Sequence, residues 1–117
     1  MTSAFGDIRT LAASDRAKDI MRQLVAKNLF DNMRHVWTLG AALGISSGNE
    51  NTEGNRGTFQ NINSLDPDGI FAAILLGKYP ELSPEERRDK LVNFAEWGIR
   101  EIYRKEQNST LIFSKLG

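Results

Sequence analysis

Cysteine is absent from the 117 residues, and histidine occurs once, at His35. Without thiols there is no disulfide framework, no thiolate nucleophile, no iron–sulfur cluster and no thiolate zinc site. A single imidazole leaves no second histidine for the usual catalytic zinc set, so neither a metal nor a cofactor is expected. Charge of one sign is also lacking: fifteen Lys and Arg balance fifteen Asp and Glu. No whole-molecule field therefore draws the chain to nucleic acid or to an anionic membrane, and any such attraction is local. The longest purely apolar run, Ile70 to Leu76, is far shorter than the roughly 20 residues a membrane helix needs. The N-terminus also lacks the basic-then-apolar pattern of a secretory signal. These absences predict a cytoplasmic protein without a membrane partner.

What is present suffices for one folded domain. Forty per cent hydrophobic and 26% charged residues supply a core and a solvated exterior, and a chain of this length buries roughly two-thirds of its unfolded surface. Ser14 followed by Asp15 reads as a helix start, with Ala17, Ile20, Met21, Leu24 and Asn28 on one face. A second helix carries Met33, Val36, Trp37, Gly40 and Ala41 on one stripe, is apolar nearly all round, and stops at Gly44; its small residues admit another helix at close range. Asp66-Pro67-Asp68 reads as the start of a third, with Asp66 as cap and Pro67 first in the helix, closing at Gly77. Ser83-Pro84-Glu85-Glu86 forms a capping box for the last helix, which buries Leu91, Phe94, Ala95, Gly98, Ile99 and Ile102 and runs to about Arg104.

Between the second and third helices, Ile45 to Ser64 is a polar stretch with three glycines and five asparagines, read as a long surface loop. Thr58 to Ile62 alternates weakly and is compatible with a short strand, and the strand-like tail Ser109 to Phe113 reads either as its pairing strand or as an arm that orders on a partner. The expected architecture is all-α: about four helices around one core that buries Trp37, Ile74 and Phe94, with a long polar loop and at most a minor two-strand ribbon. Residues 1–13 read as an N-terminal arm, 14–106 as a single helical domain and 107–117 as a C-terminal tail.

Few constellations carry chemistry. His35 is the one side chain suited to proton transfer near neutrality, but no serine, second histidine or carboxylate stands at a triad spacing, so a hydrolase is the weakest reading. Asp66 and Asp68 are explained by the helix they precede. Gly48, Gly54 and Gly57, with Arg56 beside them, lack the ending of a P-loop and the spacing of a dinucleotide fingerprint. The last helix is more specific. At 100° per residue Trp97 stands about 120° from the centre of the buried face, beside Lys90, Arg100 and Arg104. An aromatic among basic groups defines a candidate contact patch of Lys90, Trp97, Arg100 and Arg104 for a protein or DNA. The alternative is that Trp97 packs under the loop or tail while the bases pair with Glu96 and Glu101.

Three blocks in order, VWTLGAALG at Val36 to Gly44, DGIFAAILL at Asp68 to Leu76 and NFAEWGIREI at Asn93 to Ile102, with a Gly/Asn/Arg-rich loop after the first, give the chain a resemblance to a known family. It resembles the small helical proteins of bacterial DNA phosphorothioation (DNA sulfur modification) clusters, in particular the group called dnd system-associated protein 4, over residues 16–106. The blocks are mostly core positions and carry no catalytic motif. Sulfur transfer itself needs a cysteine nucleophile or a cluster, so the resemblance implies a non-catalytic accessory or regulatory component of a modification or restriction system. Its partners would be a larger protein subunit, DNA, or a second copy of itself. A reading from another class is a free-standing protein–protein adaptor or inhibitor that never meets DNA.

Overall fold

The computed structural model describes residues 4–116, with side chains described for residues 4–109. The elements in order are β1 (Thr10–Ser14), α1 (Asp15–Ala26), α2 (Met33–Ser47), β2 (Arg56–Asn61), α3 (Ile62–Leu65), α4 (Ile70–Lys78) and α5 (Pro84–Leu116). The expectation of an all-α domain is corrected to a mixed α/β fold, because β1 and β2 form a two-stranded antiparallel sheet. The strand partner of the Phe59 region is the N-terminal segment and not the C-terminal tail, whose backbone continues α5 as helix.

β1 is short and rich in alanine, a poor strand composition, and its backbone groups explain why it holds. Ala12 pairs with Thr58 and Ser14 with Arg56, with an irregularity between Leu11 and Ala12. Groups two apart along a strand face the same edge, and on the edge away from β2 two side chains stand in for a third strand. The Trp37 indole Nε1–H donates to the Ala12 carbonyl at 3.2 Å, and the Ser14 N–H donates to a Glu96 carboxylate oxygen at 2.9 Å. On the opposite edge Lys18 Nζ donates to the Thr58 carbonyl at 3.2 Å, a common way to blunt an open strand.

The α2–α5 pair is the centre of the molecule. Its helices meet where glycines coincide: a Cβ built on Gly98 would stand 1.8 Å from the Gly40 carbonyl oxygen, and one on Gly44 would stand 2.3 Å from that of Phe94. Backbone therefore packs on backbone, as the small residues of α2 lead one to expect. Around this crossing Ile20, Met21, Leu24, Val36, Trp37, Leu91 and Ile99 are fully buried, and Trp37 meets Phe71 edge-to-face with ring centroids 6.5 Å apart.

Several boundaries shift. α2 passes through Gly44 to Ser47 and ends on Gly48, which adopts the left-handed conformation at φ 71°. Gly44 is a packing residue and not a stop, which shortens the polar loop to residues 48–55. Pro67 precedes α4, which starts at Ile70 after a left-handed Gly69. Asp66 still caps that helix from upstream, its carboxylate accepting from the N–H groups of Phe71 and Ala72 at 3.1 and 2.9 Å. Ile74 is half-buried, and Leu75 takes the core position expected for it. α5 does not end near Arg104 but runs to Leu116, with no proline after Pro84 and no glycine between Gly98 and its end to stop it. At about 1.5 Å per residue its 33 residues span about 50 Å, close to the molecule's longest dimension of 56 Å.

Candidate partner-binding surface

Lys90, Asn93, Trp97, Arg100 and Arg104 alternate by three and four residues and so form one stripe along α5. The stripe is about 21 Å long at helical rise, and the protein treats its two ends differently.

At the upper end the loop folds over it. Glu50 accepts from Lys90 Nζ at 2.8 Å and from the Asn93 amide at 3.1 Å. The Asn51 N–H donates to the Asn93 carbonyl at 3.0 Å, and the Arg56 guanidinium bonds to the Asn93 side chain and the Asn51 carbonyl. Lys90 also stands 5.0 Å from the Tyr79 ring centroid. Its hydrogen bond to Glu50, with the charges of Glu50 and Tyr79 adding to it, raises the Lys90 pKa against the opposing effect of burial. The Arg56 guanidinium thereby pins the loop to α5.

The lower end is open. Trp97 is partly exposed, and its indole N–H has no hydrogen-bond partner among the described residues. Arg100 donates to Glu96 Oε1 at 2.7 Å and to the Glu96 carbonyl at 3.1 Å. Arg104 is paired with Glu101 at 2.5 Å; this bond lowers the Glu101 pKa and raises that of Arg104. The pairings with Glu96 and Glu101 are those set out as the alternative to a free basic patch. The structure thus brings Trp97, Arg100 and Arg104 onto one accessible face, turns Lys90 toward the loop, and leaves none of the three bases without a carboxylate.

Two arrangements escaped the sequence reading. Glu96 is fully buried and also accepts from Ser14, so it anchors the sheet while orienting Arg100. Arg87, 7% exposed, donates to the carbonyls of Tyr79, Ala4 and Pro80 and closes the corner between α4 and α5. In the sequence Glu96 stands out only as a partner for the basic groups, and Arg87 does not stand out at all.

His35 is exposed on the first turn of α2, where its backbone N–H is capped by Asn32 at 3.0 Å. It lines an open cleft of about 570 Å³ with Arg34, Asp68, Ile70 and Phe71. Among the described residues no group of three or more His, Asp or Glu is placed to hold a metal ion, and no helix is long and apolar enough to cross a membrane. Comparison with protein-family models, curated proteins and solved structures finds no match to this chain.

Proposed function

We propose that the protein is a non-catalytic accessory component of a bacterial DNA phosphorothioation-dependent modification or restriction system, acting by docking on a larger protein subunit through Trp97, Arg100 and Arg104. The system assignment rests on the resemblance carried by the blocks at 36–44, 68–76 and 93–102. The choice of a protein partner over DNA rests on one observation: every base of the stripe is already neutralised by a carboxylate of the same chain. DNA affinity comes largely from counterions released as uncompensated Lys and Arg meet phosphates. A near-neutral strip with an accessible indole and two oriented guanidinium groups matches the composition of protein-interface hot spots instead.

The test is affinity capture with the tagged 117-residue chain from cells carrying such a gene cluster, followed by titration of the captured subunit with variants. Trp97→Ala is expected to weaken binding by more than about 2 kcal/mol, with a small salt effect. Neutralising Lys90, Arg100 and Arg104 together is expected to slow association more than it changes affinity. Direct DNA binding whose salt dependence flattens on that neutralisation would replace the protein reading with a DNA one. Folded variants of both kinds that bind every partner normally would remove the patch altogether.

A further inference from the structure

Arg56 is a guanidinium with an unmet donor. Its two terminal nitrogens bond to the Asn93 side chain and to the carbonyls of Asn51 and Glu53, all neutral acceptors, and no carboxylate pairs with it. Its Nε–H is buried from solvent and has no hydrogen-bond partner, the one such buried side-chain atom among the described residues. Arg87 gives the comparison. It too is spent on backbone carbonyls, but there Nε is bonded as well, to the Tyr79 carbonyl at 3.0 Å. Pinning a loop therefore requires no orphan, and an orphaned donor of this kind calls for an acceptor that the chain does not supply.

Arg56 lines a cavity of about 330 Å³ between the sheet and the first turns of α5, together with Thr10, Gly57, Thr58, Arg88 and Asp89. Arg88 is half-buried and bonds only through its Nε, to the neighbouring Asp89 at 2.9 Å, which leaves both of its terminal nitrogens without a partner among the described residues. The hydroxyls of Thr10 and Thr58 are likewise unbonded there. Gly57 presents bare backbone, and a Cβ on it would stand 3.6 Å from the Nζ of Lys18, a third cation, whose hydrogen bond goes to the Thr58 carbonyl. Two guanidinium groups in the wall and an ammonium beside it face one lining carboxylate, Asp89, so the cavity is locally positive in a chain of zero net charge. The irregularity between Leu11 and Ala12 falls on the same cavity. Strand irregularities of this kind collect next to functional sites.

We propose that this cavity binds a tetrahedral oxyanion, inorganic phosphate or the phosphate of a small monoester, held by Arg56 through its Nε–H and by the terminal nitrogens of Arg88. Charge-assisted bonds from two guanidinium groups suit such an anion, and the threonine hydroxyls supply further donors. The volume is at the low end of ligand pockets, which favours a free small anion over the continuous backbone of a nucleic acid. This inference does not rest on the role proposed for Trp97.

The Arg56 Nε–H is its own reporter in heteronuclear spectra. Titrating the 117-residue chain with inorganic phosphate, at ionic strength held constant with chloride, is expected to move that resonance along a saturating curve with half-saturation at about 1 mM or below. Binding is also expected to slow its exchange with water. Arg88→Gln is expected to weaken binding about tenfold or more, and Asp89→Asn, which removes the opposing charge, to strengthen it about threefold. Neither side chain belongs to the core, and the circular dichroism of both variants should match the parent. A resonance that stays in place or drifts without saturation up to about 50 mM phosphate, or an affinity indifferent to both substitutions, overturns the proposal. A short DNA duplex that shifts the resonance where phosphate does not overturns it too, in favour of a nucleic-acid phosphate.

Discussion

Ser14 and Glu96, 82 positions apart, are joined twice: the carboxylate of Glu96 accepts from the Ser14 backbone N–H at 2.9 Å and from its hydroxyl at 2.6 Å. The same hydroxyl oxygen accepts from the Ala17 N–H at 3.0 Å, capping α1. One serine thus ends a strand, starts a helix and receives the buried acid of α5, whose remaining valence is met by Arg100. Removing the acid leaves a buried N–H and a hydroxyl without their acceptor and Arg100 with only the backbone carbonyl of position 96. Glu96→Ala is expected to cost about 3–5 kcal/mol and Ser14→Ala about 2 kcal/mol, read from urea unfolding. The double variant should lose less than the sum, because both substitutions break the same bonds.

Gly98→Ala tests the helix crossing. The added methyl carbon would stand 1.8 Å from the Gly40 carbonyl oxygen, which neither backbone can yield without parting α2 from α5. The expected loss is about 3 kcal/mol or more, seen as a large fall in thermal midpoint. Gly48→Ala, where a Cβ meets nothing within 4 Å but φ is 71°, should cost only about 1 kcal/mol through left-handed strain.

Trp37→Ala removes a fully buried ring, its edge contact with Phe71 and the donor to the Ala12 carbonyl. The expected destabilisation is about 3–5 kcal/mol. Amide exchange should rise first in β1, which loses one of the two side-chain bonds on its outer edge.

The capping box at the start of α5 sets an acid-side dependence. Glu86 accepts from the Ser83 N–H at 3.0 Å, and this bond, with a smaller contribution from the Ser83 side chain, holds its carboxyl below the ordinary glutamate value. A depressed folded pKa contributes stability that is complete above the unfolded pKa of about 4.3 and is lost as pH falls from there through the folded one. Carbon-detected titration should find the Glu86 midpoint below the ordinary glutamate value, and Ser83→Ala, which keeps the backbone donor, should move it back only part of the way.

Local signals were legible in the sequence wherever the partner lay within one turn. The Ser14 cap and the Ser83–Glu86 box bond over three residues, and both appear where their residue types place them. β1 was not legible: its strand state depends on Arg56 to Asn61 and on Trp37 and Glu96, all distant in sequence, while Thr-Leu-Ala-Ala-Ser has little strand preference of its own. Gly44 looked like a helix end because glycine ends helices when nothing packs on it, whereas here Phe94 backbone occupies the space. The tail had strand composition, but without a breaker after Gly98 helix propagation continued through it. Of the candidate stripe, spacing located the residues on one face, and the loop that covers Lys90 became visible only with Glu50 and Arg56 in place.

α5, on which α1, α2, α4 and β1 all lean, follows each of them in the chain and so leaves the ribosome after them. Until its glycine and the residues around Ile99 have emerged, α2 has no backbone to rest against, Glu96 is not there to finish β1, and Trp37 has lost most of its lining. None of these contacts can form before α5 is made. Nascent chains cut short before Ile99 would leave the faces of α1, α2 and α4 that α5 covers open to water, so proteolysis of such fragments should reach all three helices.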